Sequence, residues 1–192
     1  MLLSVAESFM FNKKINFKFP YNKSKFTTGK MSEGERAMTG IGQGKTLVTP
    51  LHLAMIASAI ANDGDMMKPY LVSKVSSGSY NTQSTGQSVM KKCISKAYAN
   101  KIKDLMAESV KSGTGAAAQI PGIEVCGKTG TAENEKTSND SSKTHAVFIG
   151  FAPYDNPQIA VSVVLEYAGS SGGTIAAPIA REIMKKFFEL NK

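Results

Sequence analysis

Five consecutive residues, Gly127-Lys128-Thr129-Gly130-Thr131, hold the most concentrated chemistry in this sequence. They fall within an apolar stretch, 123–132, that predicts a strand. Two glycines weaken a strand unless something must approach its backbone closely. Gly127 and Gly130 therefore predict a strip cleared of side chains, along which an extended peptide could bond to the main chain as an added strand. Lys128 would put a cation on that strip, and Thr129 and Thr131 would add hydroxyls. That combination suits a peptide ending in a free carboxylate. The Thr131 N–H could then act as an oxyanion donor, if a nucleophile is held opposite.

The other reactive residue types are sparser. Cys126 shares a strand face with Lys128 by simple alternation. A catalytic thiol needs a basic partner, and a small buried residue is the better reading. His145 opens the next predicted strand, either as part of a cleft or as a plain strand start. His52 falls on an apolar helix and reads as a helix residue. Two separated histidines and two cysteines, Cys93 and Cys126, give no metal-ligand spacing, and no cofactor is expected. Gly40-Ile-Gly-Gln-Gly44 lacks the spacing of a phosphate loop and a preceding strand. It reads as a scaffold turn near the cleft rim, with Gln43 facing the cleft.

The elements that must position these residues follow from pattern. A short amphipathic segment covers 2–11, and 12–39 reads as an irregular, basic surface excursion. Thr49 as cap and Pro50 in the first turn predict a buried helix to about residue 62, stopped by Asn62-Asp63-Gly64. A short strand is predicted over 69–75 and a polar loop over 76–87. Ser95 caps a second helix whose stripe is Tyr98, Ile102, Leu105, Met106 and Val110. Ser112-Gly-Thr-Gly115 ends it. Strands follow at 123–132, 145–151 and 159–167. The polar loop 133–144 joins the first two, either moving over the cleft or forming a mere tip. Gly169–Gly173 is a tight connection to a last helix, 176–190, with Ile179, Ile183, Met184 and Phe187 as its buried stripe. Helices, then sequential antiparallel strands, then a helix predict an α+β fold with the sheet covered by helices.

Composition narrows the function classes. The 192 residues are 42% hydrophobic and 20% charged, which fits a globular chain and excludes a disordered or disulfide-framed one. The net charge of +8 is almost all lysine, because only Arg36 and Arg181 are arginine. Nucleic-acid recognition leans on the arginine fork, so no nucleic-acid partner is expected. The start, MLLSVAESFMF, lacks a basic leader, and Glu7 interrupts its apolar run, so no export signal is read there. The longest apolar stretch, 47–61, is too short and interrupted to span a membrane.

Lys-Thr-Gly-Thr by itself is a short motif, but four blocks around it stand in order. They are Gly40-Ile-Gly-Gln-Gly44 with Leu47-Val-Thr-Pro-Leu51; Ala59-Ile-Ala-Asn-Asp-Gly64 with Lys68-Pro69; Val125 to Glu133; and His145 to Pro153 with Gly172-Gly173 and Ala177-Pro178. Together they resemble the penicillin-binding proteins, specifically the class B D,D-transpeptidases, a group whose signature includes K-T-G. The resemblance covers 39–192 well and 1–38 loosely. It implies a C-terminal portion of a transpeptidase domain, with a helical part over about 1–115 and a strand part over about 116–192. It also implies a five-stranded sheet to which this chain gives three strands.

In that family a Ser-x-x-Lys supplies the nucleophile and its base, and a Ser-x-Asn assists proton transfer. Both lie before the GQG block, and neither stands there in this sequence. Ser79-Tyr80-Asn81 and Ser88-Val89-Met90-Lys91 spell the motifs later and in reverse order, and are rejected. The resemblance makes Lys128 and Thr131 catalytic contributors. Gly127, Thr129, Gly130 and Thr131 would hold substrate, and Gln43 and His145 would lie at the rim. It implies peptidoglycan stem peptides and β-lactams as partners. The parent would be anchored in the bacterial membrane by its N-terminus and face the wall. Alone, the chain is expected to be inactive and, with an unfinished sheet, to self-associate or be marginally stable. Two rival readings are a class D-type β-lactamase or β-lactam sensor, and a non-catalytic module that binds stem peptides.

Overall fold

Three consecutive antiparallel strands near the C-terminus form the sheet on which everything else is hung. A computed structural model of the chain describes residues 1–77, 80–134, 136–137 and 140–191. In chain order the helices and strands are α1 (Leu2–Ser8), α2 (Glu33–Gly40), α3 (Pro50–Ala61), β1 (Asp65–Met67), β2 (Lys74–Ser77), β3 (Tyr80–Ser84), β4 (Val89–Lys92), α4 (Lys96–Lys111), β5 (Cys126–Ala132), β6 (His145–Ala152), β7 (Ile159–Leu165) and α5 (Ala177–Leu190). The main sheet has the order β5-β6-β7. Its register pairs Lys128 with Ile149, Thr131 with Ala146 and Val147 with Val164.

After His145 the central strand β6 is apolar, because both of its faces are covered. On one face Ala146 and Phe148 pack with Val161 and Val163 against Ala177, Ala180 and Met184 of α5. On the other face Cys126 and Phe151 meet Ala57 and Ile60 of α3 and Met106 of α4. The helices begin where capping chemistry allows. The Thr49 hydroxyl accepts from the His52 N–H at 3.3 Å, with Pro50 as the first helical residue. Ser95 accepts from the Tyr98 N–H at 3.4 Å. Ser32 and Glu35 form a capping box at α2.

The α+β fold and the three C-terminal strands match the sequence reading. The first half differs in detail. The excursion over 12–39 contains α2. Its Ile15 is 2% exposed and packs with Met55, Ala59, Met66 and Cys93 in a second core. The Asn12 side chain ties this segment down, donating to the Phe26 C=O and accepting from its N–H. The strand expected over 69–75 begins at Lys74. The polar loop over 76–87 holds part of the β2–β3 hairpin, and β1 pairs with β4. On α4, Tyr98 and Leu105 are exposed while Ala99, Met106 and Val110 are buried. On α5 the small residues Ala177 and Ala180 face the sheet, leaving Ile179 and Ile183 partly in solvent.

Candidate functional site

β5 has β6 on one side and no strand on its other side among the described residues. Its open edge can be read from its hydrogen bonds. The Thr129 C=O accepts from Lys128 Nζ at 2.7 Å. The Thr131 C=O accepts from Gln43 Nε2 at 3.0 Å, and the Glu133 N–H donates to Gln43 Oε1 at 3.3 Å. These odd-numbered residues therefore turn their main-chain groups away from β6. By the same alternation the Thr131 N–H points to the open edge.

The side chains along β5 divide between its two faces. Lys128 is exposed, and none of the ion pairs among the described residues engages it. Thr129 and Thr131 point the other way. Thr129 Oγ1 lies 2.7 Å from Thr114 Oγ1, an exposed hydroxyl pair. Thr131 Oγ1 accepts from the Gly172 N–H at 3.4 Å. An exposed ammonium, paired hydroxyls and an outward N–H thus follow one another along a single strand edge. That arrangement can receive a carboxylate and a carbonyl oxygen from one extended peptide.

Thr114 was not among the residues singled out from the sequence. It lies in the loop that ends α4, and the only sequence signal was Ser112-Gly-Thr-Gly115 itself. Gly172 and Gly173 open a short helical segment, Gly172–Ala176, that comes up behind β5. A Cβ on Gly172 would stand 2.1 Å from the Val147 oxygen and 2.5 Å from the Gly130 oxygen. One on Gly173 would stand 2.4 Å from the Thr114 oxygen. The two strand glycines differ from each other. Gly130 is open on its face, with Val147 Cβ the nearest atom to a Cβ there, at 3.5 Å. A Cβ on Gly127 would meet the Phe148 ring at 2.3 Å, so Gly127 makes room for a buried phenyl ring.

The remaining candidates are placed as follows. His145 pairs with Ala132, and its Nδ1 accepts from the Tyr167 N–H at 2.9 Å. Its ring packs edge-on to Tyr167 at 4.8 Å, and with Gln43, Ala132 and Glu133 it lines a cavity of about 470 Å³. His52 is 1% exposed, and its Nε2 lies 2.6 Å from the Phe9 oxygen. Cys126 and Cys93 are free and buried. Burial pushes the Cys126 thiol up to about 12, the Glu124 carboxylate adding to the rise, so it is no ready nucleophile. Ser88 and Lys91 lie at and within β4, where residues three apart face opposite ways and cannot act as a helical Ser-x-x-Lys does. Ser79, of the other rejected string, lies outside the described residues.

The family model of the penicillin binding protein transpeptidase domain matches residues 2–185. The chain belongs to this family. It is 38% identical over 170 residues to the peptidoglycan D,D-transpeptidase PbpA of Mycolicibacterium smegmatis, covering 84% of this chain and 34% of that protein. It is 36% identical over 159 residues to stage V sporulation protein D of Bacillus subtilis, covering 79% and 24%. The chain thus spans about a quarter to a third of the length of these relatives. Among solved structures, penicillin-binding protein A of Mycobacterium tuberculosis superposes with a TM-score of 0.85 at 31% identity, over 95% of this chain and 42% of that one. Its ceftriaxone acyl-enzyme complex superposes equally well, at 33% identity, over the same shares. The penicillin-binding fold accounts for the α+β architecture.

Proposed function

We propose that this chain is the substrate-holding part of a peptidoglycan D,D-transpeptidase site. The observation that carries the proposal is the open edge of β5, where the exposed Lys128, the Thr114–Thr129 hydroxyl pair and the outward Thr131 N–H stand in line. Membership of the penicillin-binding family supports it, as do the D,D-transpeptidase names of the relatives. A stem peptide ending in D-Ala-D-Ala would lay its tail along this edge. Lys128, Thr129 and Thr131 would hold the terminal carboxylate, and the Thr131 N–H would polarise the penultimate carbonyl.

The chemistry is two-step acyl transfer. A serine hydroxyl from residues outside this chain adds to that carbonyl and passes its proton to a base. The amide C–N bond breaks, and the terminal D-Ala leaves with a proton on its nitrogen. The amine of a second stem then attacks the acyl-serine ester, which forms the cross-link and returns the serine. A β-lactam takes the donor's place, its ring amide opens, and the acyl group stays on the serine. In this reading the chain alone holds tails without cutting them, and Gln43 and His145 stand at the rim. The parent's membrane anchor and wall-facing side belong to the same proposal; among the described residues no helix is long and apolar enough to cross a membrane.

Fluorescent penicillin tests the division of labour. The chain by itself is expected to take no covalent label, while an N-acetyl-D-Ala-D-Ala titration moves the amide signals of Thr129 and Thr131. Covalent labelling of this chain would place a working nucleophile within it and overturn the proposal.

A further inference from the structure

Gln43 reaches β5 from a loop that is built to deliver it. Gly42 and Gly44 on either side hold left-handed backbone, with φ of 79° and 82°, which glycine adopts without steric cost. The Gln43 N–H donates to the Met38 C=O at 2.9 Å, and an ion pair of 2.7 Å between Lys45 and Glu35 ties the far side of the loop to α2. The side-chain amide then spends its donor on the Thr131 C=O and its acceptor on the Glu133 N–H. A primary amide carries both functions in one plane, as a peptide group does. The carboxamide therefore occupies the two main-chain groups that an added strand would use beyond Thr131.

We infer that Gln43 is a specificity-determining residue that sets how much the upstream part of a bound peptide contributes to binding. The inference rests on the proposed function, because it takes the tail to lie along this edge. A tail with its carboxylate at Thr129 and its carbonyl at the Thr131 N–H brings its next N–H to the Thr131 C=O. The carbonyl of that same trans amide points away, and only a longer peptide would bring a carbonyl to the Glu133 N–H. The Thr131 C=O is held by Gln43, so the upstream N–H must displace the carboxamide and gains little over it. A ligand that stops short of that residue leaves Gln43 undisturbed.

Two probes separate these cases. N-propionyl-D-Ala carries the carboxylate, the carbonyl and the matching methyl group. N-acetyl-D-Ala-D-Ala adds only the upstream acetamido group. Affinities are measured by amide-shift titration on the full chain, unaltered and with Gln43→Ala. The substitution is expected to leave N-propionyl-D-Ala unchanged and to tighten N-acetyl-D-Ala-D-Ala about fivefold, the worth of one exposed hydrogen bond no longer competed for. Gln43→Glu keeps the length but loses the donor to Thr131, and it should raise the same ratio. It also serves if the alanine variant fails to fold. An unchanged or lowered ratio in a folded variant overturns the inference and leaves the proposed function standing. Failure of N-propionyl-D-Ala to bind either protein overturns the proposed function, and the inference with it.

Discussion

The two edges of the main sheet are dressed in opposite ways. Along β5 the outward main-chain groups are met by flexible polar side chains, Lys128 and Gln43, in exposed bonds. Where β7 begins, the surface it shares with α5 is largely apolar, although Glu182 and Lys186 also line it. Ile159 of that strand joins Pro178, Ile179, Ile183 and Phe187 of α5 around an open hollow of about 730 Å³. An edge held by displaceable polar groups stays soluble and can exchange them for a ligand. An uncovered apolar face gains by being buried. On the proposed function, the contrast would make β5 the receptive edge and the α5–β7 side the adhesive one.

The largest expected effect removes the sheet that both edges share. Phe148 is fully buried between β5 and α5, so Phe148→Ala should cost about 4 kcal/mol, read from denaturant unfolding, and spoil both edges together. A loss confined to one edge would show that they do not depend on a common core. Next in size, Lys128→Met should weaken binding of a D-Ala-D-Ala tail by about tenfold or more, the worth of a charge-assisted bond. Because Lys128 is exposed, stability should stay within about 0.5 kcal/mol. A matching fall in stability would recast Lys128 as structural.

The adhesive side predicts self-association, seen as a sedimentation coefficient that rises with concentration. Ile183 is 45% exposed on that face. Ile183→Glu should shift the chain towards monomer while leaving tail binding intact. Monodisperse behaviour of the unaltered chain at high concentration would contradict this. The smallest effect concerns pH. Burial lowers the His52 pKa from its ordinary 6.5, against the opposing pull of the Phe9 carbonyl. The folded state therefore prefers neutral His52. Its contribution is complete above about pH 6.5 and is lost as pH falls through the lowered value. The denaturant midpoint should be lower at pH 5 than at pH 7, and His52→Gln should shrink that difference.

What the sequence made legible was local or strongly patterned. Thr49-Pro50 and Ser95 mark helix starts because caps act within one turn, and β6 and β7 are mostly apolar runs. Ile15 was not legible as core, because its burial depends on meeting Met55 and Met66 across the fold. The short strands β1 to β4 are too short for a period to show and pair with one another. On α5 the order of burial differs from the apolar stripe because small alanines approach the sheet more closely than isoleucines can. At the site, Lys128 to Thr131 stood out by composition, and the glycine turn pointed to Gln43. Thr114 and the Gly172-Gly173 approach were hidden, since only tertiary packing brings those loops behind β5.

The most direct test compares two forms of one tail on the unaltered chain. Amide shifts are followed while adding N-acetyl-D-Ala-D-Ala as the free acid and, separately, as its C-terminal carboxamide. The account predicts saturable shifts at Thr114, Thr129 and Thr131 with the acid, and their near-absence with the carboxamide. Equal responses to both forms, or shifts centred on β7 and α5, would contradict it.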